Sequence, residues 1–239
     1  MAKKRVPFAY KVVIAILAPL AYVLTKRQWR GRENFPGDGG FIVAANHISS
    51  MDFLPLVHML AWWVRPPQVL AKESLFRVPV VGAAMRGMGM IPVYRGTAKA
   101  GWALKDAAKA LEEGGLVLIY PEGTVTRDPD TWPMRGRPGA VRLALETGRP
   151  LVPVAQWGAQ RMLPKGHKCP RVFPRTRVKM LVGKPLDLSD LRDSPNREAA
   201  VKQGTERLMV TLGQMVGELR GLQPPDQPYN QFTKRKDQP

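Results

Sequence analysis

The chain has 239 residues, 44% of them hydrophobic, enough to bury one sizeable core and to exclude a wholly disordered chain. Lys and Arg total 37 against 19 Asp and Glu, and the net charge of +18 favours anionic partners: nucleic acid, anionic lipid or phosphorylated substrates. Cys169 is the sole cysteine, which excludes an intrachain disulfide and a cysteine-built zinc site and fits a reducing compartment.

Lys3, Lys4 and Arg5 precede an apolar run from Val12 to Leu24, which ends at Lys26, Arg27 and Arg30. The run is short of the roughly 20 residues that a bilayer core requires, and Pro19 interrupts it. No small-residue cleavage site follows, as a secretory signal would need. Basic residues on both flanks predict a helix lying in a headgroup layer, with a buried core helix as the alternative. Residues 1–30 are therefore expected to form a membrane-interfacial helical segment.

Beyond it, short apolar runs alternate with helical patterns. Strands are predicted over Phe41 to Ala45, Gln68 to Ala71, Met90 to Tyr94, Leu116 to Tyr120, Leu151 to Ala155 and Arg177 to Gly183. Helices are predicted over Met51 to Trp63, Thr97 to Glu113, Ala140 to Thr147 and Pro195 to Leu219. Thr97 can cap the second of these, and Val201, Thr205, Leu208, Leu212 and Met215 share one side of the last. The expected class is α/β: a mixed, largely parallel central sheet flanked by helices, with an N-terminal membrane-associating helix. Residues 31–220 form the predicted domain, and 221–239 a flexible basic tail rich in Pro and Gln.

In parallel sheets, sites form beyond the carboxyl ends of strands. His47 sits there, after the run FIVAA, and Asp52 follows five positions later. On one continuous helix these side chains would lie about 140° apart, so His47 must precede the helix and Asp52 open it. Ser49 or Ser50 can cap that turn. A carboxylate on one ring nitrogen fixes the tautomer and leaves the other nitrogen free to take a hydroxyl proton. Asp52 is equally readable as a residue favouring a helix N-terminus. His58 and His167 are expected to be structural and surface residues.

A second block, Tyr120-Pro121-Glu122-Gly123-Thr124, also follows a buried run, and its Pro and Gly suit a tight turn. A third, Gly89 to Gly96, ends in Arg95, whose guanidinium suits a phosphate or simply faces solvent. A cluster of Arg161, Lys165, Lys168, Arg171, Arg175, Arg177 and Lys179 suits an anionic surface or a solvated face.

Together Asn46-His47 with Asp52, Gly89 to Gly96, Pro121 to Thr124 and Leu151-Val152-Pro153-Val154 resemble, in order and separation, the 1-acylglycerol-3-phosphate acyltransferase family, over roughly residues 30 to 185. The resemblance implies that His47 is the general base, oriented by Asp52, and that an acceptor hydroxyl attacks the thioester of acyl-CoA or acyl-carrier protein. It implies that Arg95 binds the acceptor phosphate, that Glu122, Gly123 and Thr124 position the acceptor, and that no metal or resident cofactor is needed. The family usually has Arg after Glu-Gly-Thr. Here Val125 stands there, with Arg127 as the nearest substitute and Arg135 and Arg137 further on.

The expected function is transfer of an acyl group to the 2-hydroxyl of 1-acylglycerol-3-phosphate, giving phosphatidic acid. The expected partners are anionic membrane lipids, the acyl donor and the lysophospholipid. The expected place is the cytoplasmic face of the cell membrane, peripheral or monotopic. Rival readings are an acyltransferase with another lysolipid or glycolipid acceptor, a non-catalytic membrane protein, and a basic nucleic-acid-binding module. No zinc spacing or aromatic-rich recognition block favours the last, and no nucleic-acid partner is expected.

Overall fold

The computed structural model describes residues 6–94, 101–164, 166–167, 169–171 and 173–232. Seven strands form one sheet: β1 (Thr25–Arg30), β2 (Phe41–Ala45), β3 (Gln68–Lys72), β4 (Ile91–Val93), β5 (Leu116–Ile119), β6 (Leu151–Trp157) and β7 (Thr176–Val182). Their order is β1-β7-β6-β2-β5-β3-β4. All neighbouring pairs are parallel except β6 with β7. Seven helices flank the sheet: α1 (Phe8–Leu24), α2 (Phe53–Trp63), α3 (Pro79–Gly87), α4 (Trp102–Glu112), α5 (Gly139–Thr147), α6 (Ser189–Arg192) and α7 (Arg197–Arg220). The largely parallel α/β architecture expected from the alternation of runs is the one the chain adopts.

Strand β2 lies centrally, with Val43 opposite Leu118 of β5 and Val152 of β6. All five of its residues are buried, as a strand covered on both faces requires. Ile42 and Ala44 join Val117, Ile119 and Leu151 in a core closed by α4, α5 and α7. Phe41, Val43 and Ala45 point the other way, with Leu116, Leu118 and Val152, toward α1 and α2. The five residues expected on the inner side of α7 are all buried, and its start is capped by Asn196, whose side-chain oxygen accepts the Ala199 N–H at 3.0 Å.

Three elements were not evident in the sequence: β1, α3 and the four-residue α6. Residues 25–30 form an edge strand whose outer positions Lys26, Arg27, Gln28 and Arg30 are exposed, so it lacks an apolar run. Pro79 opens α3 at its first turn, where a missing N–H costs nothing. The Thr97 cap and Arg95 lie outside the described residues, as do Lys165 and Lys168 of the basic cluster.

Helix α1 is apolar on two opposite sides. Tyr10, Ala21 and Leu24 are buried against the body, and the Tyr10 hydroxyl donates to the Pro67 carbonyl at 2.8 Å. Phe8, Val12, Ile16, Leu20 and Val23 are exposed. Its final carbonyls are satisfied by Arg175, which donates to Tyr22 and Thr25 oxygens at 2.6 and 2.8 Å. Among the described residues no helix is long and apolar enough to cross a membrane.

Candidate active site

Strands β2, β5 and β6 run parallel, so their carboxyl ends share one edge of the sheet. Segments 46–52 and 120–126, which follow β2 and β5, meet there with Gln156 near the end of β6. Asn46 is fully buried and bonds Gln156 three times. Its Nδ2 donates to the Gln156 carbonyl at 3.1 Å, its Oδ1 accepts the Gln156 N–H at 2.8 Å, and its carbonyl accepts from Gln156 Nε2 at 2.8 Å. These bonds extend the β2–β6 pairing by one residue and fix where His47 leaves the sheet.

His47 Nδ1 lies 2.9 Å from Asp52 Oδ2 and 3.1 Å from Oδ1. Asp52 is fully buried, yet its carboxylate does not cap α2. Oδ2 instead accepts the N–H groups of Ile48 and Ser49 at 2.8 and 3.0 Å. The helix begins at Phe53, two residues later than the pattern predicts, with Asp52 at its N-cap position. Ser49 does not cap it either: its Oγ accepts the Met51 N–H and donates to the Leu163 carbonyl, 3.2 and 3.1 Å. The turn cages the carboxylate beside His47, and Asp52 makes no side-chain capping bond to α2. Nδ1 faces the carboxylate, and the His47 side chain is 20% exposed.

Glu122 joins this loop from β5. Its Oε1 accepts the His47 N–H at 2.8 Å and its Oε2 accepts the Met134 N–H at 3.0 Å. The Thr126 N–H donates to the His47 carbonyl at 2.7 Å, so both backbone groups of His47 are tied to the Glu122 loop. Burial raises the Glu122 carboxyl to about 8, while the two backbone N–H donors pull it down. Gly123 closes the turn, its N–H donating to the Tyr120 carbonyl at 2.9 Å, with φ of +71° that a side chain would strain.

Tyr120, the first residue of the second block, meets the histidine directly. Its ring stacks on the His47 imidazole, centroids 4.2 Å apart and planes 23° apart. Its buried hydroxyl lies beside Asp52 and Gln156 without meeting hydrogen-bond geometry to either, and burial pushes its ionisation well above the usual phenol range. A buried Gln156 within the apolar run LVPVAQW was the one available signal of this polar cluster.

Of the other residues singled out, Gly123 lines the same cavity as His47, while Thr124 and Val125 are half-buried in the turn. Arg127 is exposed, its backbone N–H donating to Met134 Sδ at 3.1 Å. Arg95 is outside the described residues. His58 is buried edge-on to Trp29 at 5.4 Å, and burial, then the charge of Arg27, lowers its basicity. Among the described residues no three His, Cys, Asp or Glu side chains converge as a metal site would need.

A cavity of about 730 Å³ opens beside the pair. Its wall includes His47, Tyr120 and Gly123, and continues with Val13, Ile14 and Leu17 of α1, Leu54 and Val57 of α2, and Val81, Ala84 and Met85 of α3. A second cavity of about 820 Å³ lies between α7 and residues 224–232 and holds neither His47 nor Asp52. The first is lined mainly by apolar side chains and reaches the His47 imidazole.

A family model described as Acyltransferase matches residues 26–157, more than half of the chain. The chain belongs to the acyltransferase family. This acyltransferase is 31% identical over 192 residues to the 1-acyl-sn-glycerol-3-phosphate acyltransferase of Bacillus subtilis, covering 80% of this chain and 88% of that one. It is 35% identical over 136 residues to the Borreliella burgdorferi protein of the same name, spanning 56% of this chain and about half, 52%, of that relative. The crystal structure of the 1-acyl-sn-glycerophosphate (LPA) acyltransferase from Thermotoga maritima superposes with a TM-score of 0.65 at 25% identity, covering 90% of this chain and 83% of that one.

Proposed function

We propose that this acyltransferase moves a fatty acyl group from acyl-CoA or acyl-carrier protein to the 2-hydroxyl of 1-acylglycerol-3-phosphate, giving phosphatidic acid. The observation that carries the reading is the His47–Asp52 pair in the wall of an apolar cavity of about 730 Å³. The names of the Bacillus and Borreliella relatives supply the acceptor.

In this mechanism His47 Nε2 removes the proton of the acceptor hydroxyl as its oxygen attacks the thioester carbonyl. The imidazolium that forms is stabilised by the buried Asp52 carboxylate and by the stacked Tyr120 ring. The tetrahedral intermediate collapses, the carbon–sulfur bond breaks, and the thiolate takes the proton back from His47. No enzyme nucleophile enters, because the acceptor supplies the attacking oxygen. Glu122 holds the His47 backbone rather than touching substrate, Gly123 and Thr124 shape the acceptor's side of the turn, and Arg95 and Arg127 supply cations for its phosphate.

Residues 31–220 carry this chemistry, and 1–30 the membrane contact. Support for that contact comes from the exposed apolar side of α1, with Phe8 81% exposed, and from Val80 at the start of α3, 82% exposed. Both helices line the cavity, and the exposed Lys11 on α1 and Lys26 just after it offer cations to anionic headgroups. Attachment is at the cytoplasmic face, peripheral or monotopic.

Thiol release from acyl-CoA in the presence of 1-acylglycerol-3-phosphate tests the reading. The wild-type chain turns over and His47→Ala falls by about 10³-fold or more while keeping its fold. Near-normal turnover in that variant would sink the mechanism. Val125, in place of the arginine that the resemblance expects, favours a second reading with another lysolipid or glycolipid acceptor. Transfer to such an acceptor alone, in the same assay, would replace the first reading by the second.

A further inference from the structure

The segment after α7 was expected to be loose, but it crosses back to the Glu122 turn. The Arg135 N–H donates to the Tyr229 carbonyl at 3.0 Å. Gln231 Nε2 then donates to two carbonyls at once, Glu122 at 3.0 Å and Arg135 at 2.8 Å. One amide nitrogen has two protons, and both are used to join the two strands of the active-site loop.

The next residue continues the pattern. The Phe232 ring centre lies 5.2 Å from the Arg137 guanidinium carbon, a cation–π distance. The Arg137 N–H donates to the Pro121 carbonyl at 2.7 Å, and its Nε sits 2.9 Å from where a β-carbon of Gly123 would be. A guanidinium is thus held between Phe232 and Gly123, the glycine that lines the cavity with His47. Any side chain at position 123 would displace it.

We propose that residues 221–232 are a strap completing the acceptor site: Gln231 holds the Glu122–Gly123 turn, and Phe232 holds Arg137 over Gly123 to bind the acceptor's phosphate. The proposal rests on the reading of this site as an acyltransferase acting on a phosphate-bearing lysolipid. Arg137 is a binding residue in this account, and Gln231 and Phe232 are positioning residues that act through the turn and through Arg137. The cation missing at position 125 is then supplied from twelve positions downstream, a count taken from the sequence. Arginine suits the role because its planar fork grips two phosphate oxygens while its face stacks on an aromatic ring.

The test uses the full chain, acyl-CoA and 1-acylglycerol-3-phosphate, with kcat and the acceptor KM measured separately. Arg137→Ala is expected to raise the acceptor KM about tenfold with kcat within about twofold, and Arg137→Lys to recover part of the loss. Phe232→Leu raises the same KM by about threefold, and the double variant Arg137→Ala/Phe232→Leu is no worse than Arg137→Ala alone, because the two act through one contact. Gln231→Ala lowers kcat about fivefold, and Gln231→Glu lowers it further by aiming a carboxylate at two carbonyl oxygens.

An acceptor KM unchanged in Arg137→Ala, or effects of Arg137→Ala and Phe232→Leu that multiply, would overturn the strap. So would Gln231 variants whose activity falls only in step with their thermal stability. Failure of the wild-type chain to acylate this acceptor, or normal turnover in His47→Ala, strikes the reading of the site instead, and the two failures are told apart in one set of assays.

Discussion

Replacing Asp52 with Asn separates chemistry from folding at one carboxylate. Oδ2 accepts from Ile48 and Ser49 N–H groups at 2.8 and 3.0 Å, and Oδ1 lies 3.1 Å from His47 Nδ1. An asparagine keeps the two backbone bonds only if its oxygen takes the Oδ2 position. Its NH₂ then stands at the Oδ1 position, so a donor replaces one of the two acceptors that His47 Nδ1 faces, the other being the oxygen at the Oδ2 position, 2.9 Å away. The NH₂ favours the tautomer protonated on Nε2, which blocks the nitrogen needed to deprotonate the hydroxyl. Loss of the charge removes a further 1.5–3 kcal/mol, roughly, from the imidazolium. The combined fall in kcat is expected to be about 10²- to 10⁴-fold, the range in which tautomer reversal operates in a serine protease triad. Thermal unfolding should move by less than about 4 °C, since the backbone bonds survive. Asp52→Ala strands both N–H groups in a buried loop, at about 1–3 kcal/mol each, and should lower the melting temperature by roughly 5–15 °C as well as abolish turnover. Thiol-release kinetics beside calorimetry decide it. An Asn variant keeping more than about a tenth of wild-type kcat, or losing activity only with its fold, would refute the tautomer argument.

Glu122 gives a pH signature. Its carboxyl is raised from 4.5 to about 8, so between those values the folded chain holds a proton that the unfolded chain has released. Stability therefore falls as pH rises through that window, by at most about 5 kcal/mol from this residue, and urea midpoints should show a slope that Glu122→Gln flattens. Tyr120→Phe removes a buried hydroxyl that has no hydrogen-bond partner, so it should change stability by no more than about 1 kcal/mol and leave turnover near normal. A hundredfold loss would mean that the hydroxyl serves Asp52 directly. Ala84→Phe narrows the cavity beyond His47 and should shift preference to shorter acyl donors, by about tenfold or more in kcat/KM for each methylene that no longer fits. An unchanged chain-length profile across a donor series would place the acyl chain elsewhere.

What the sequence made legible followed from burial on both faces. FIVAA, LVLI and the start of LVPVAQW are continuous apolar runs because β2, β5 and β6 are covered on both sides, and their ends marked His47 and Glu122. Edge strand β1 escaped notice because its basic residues face solvent and only Thr25 is fully buried. The first turn of α2 was placed two residues early, because a serine pair before an aspartate looks like a cap when it is in fact a cage. The contacts of Tyr120 and Gln231 stayed invisible for a different reason. Their partners, His47 and Glu122, lie 73 and 109 positions away, and no local pattern encodes such meetings.

The two backbone bonds of His47 have a consequence for how such a site can be altered. Its N–H is held by Glu122 and its carbonyl by Thr126, across the boundary between two sheet-edge loops. Each loop has bonds of its own, but these two fix how the loops sit against each other. A chimera that imports 46–52 from a distant relative without 120–126 would carry every reactive atom and still misplace the imidazole. The two loops form one module split by 67 residues of chain, and they are best exchanged, or left alone, together.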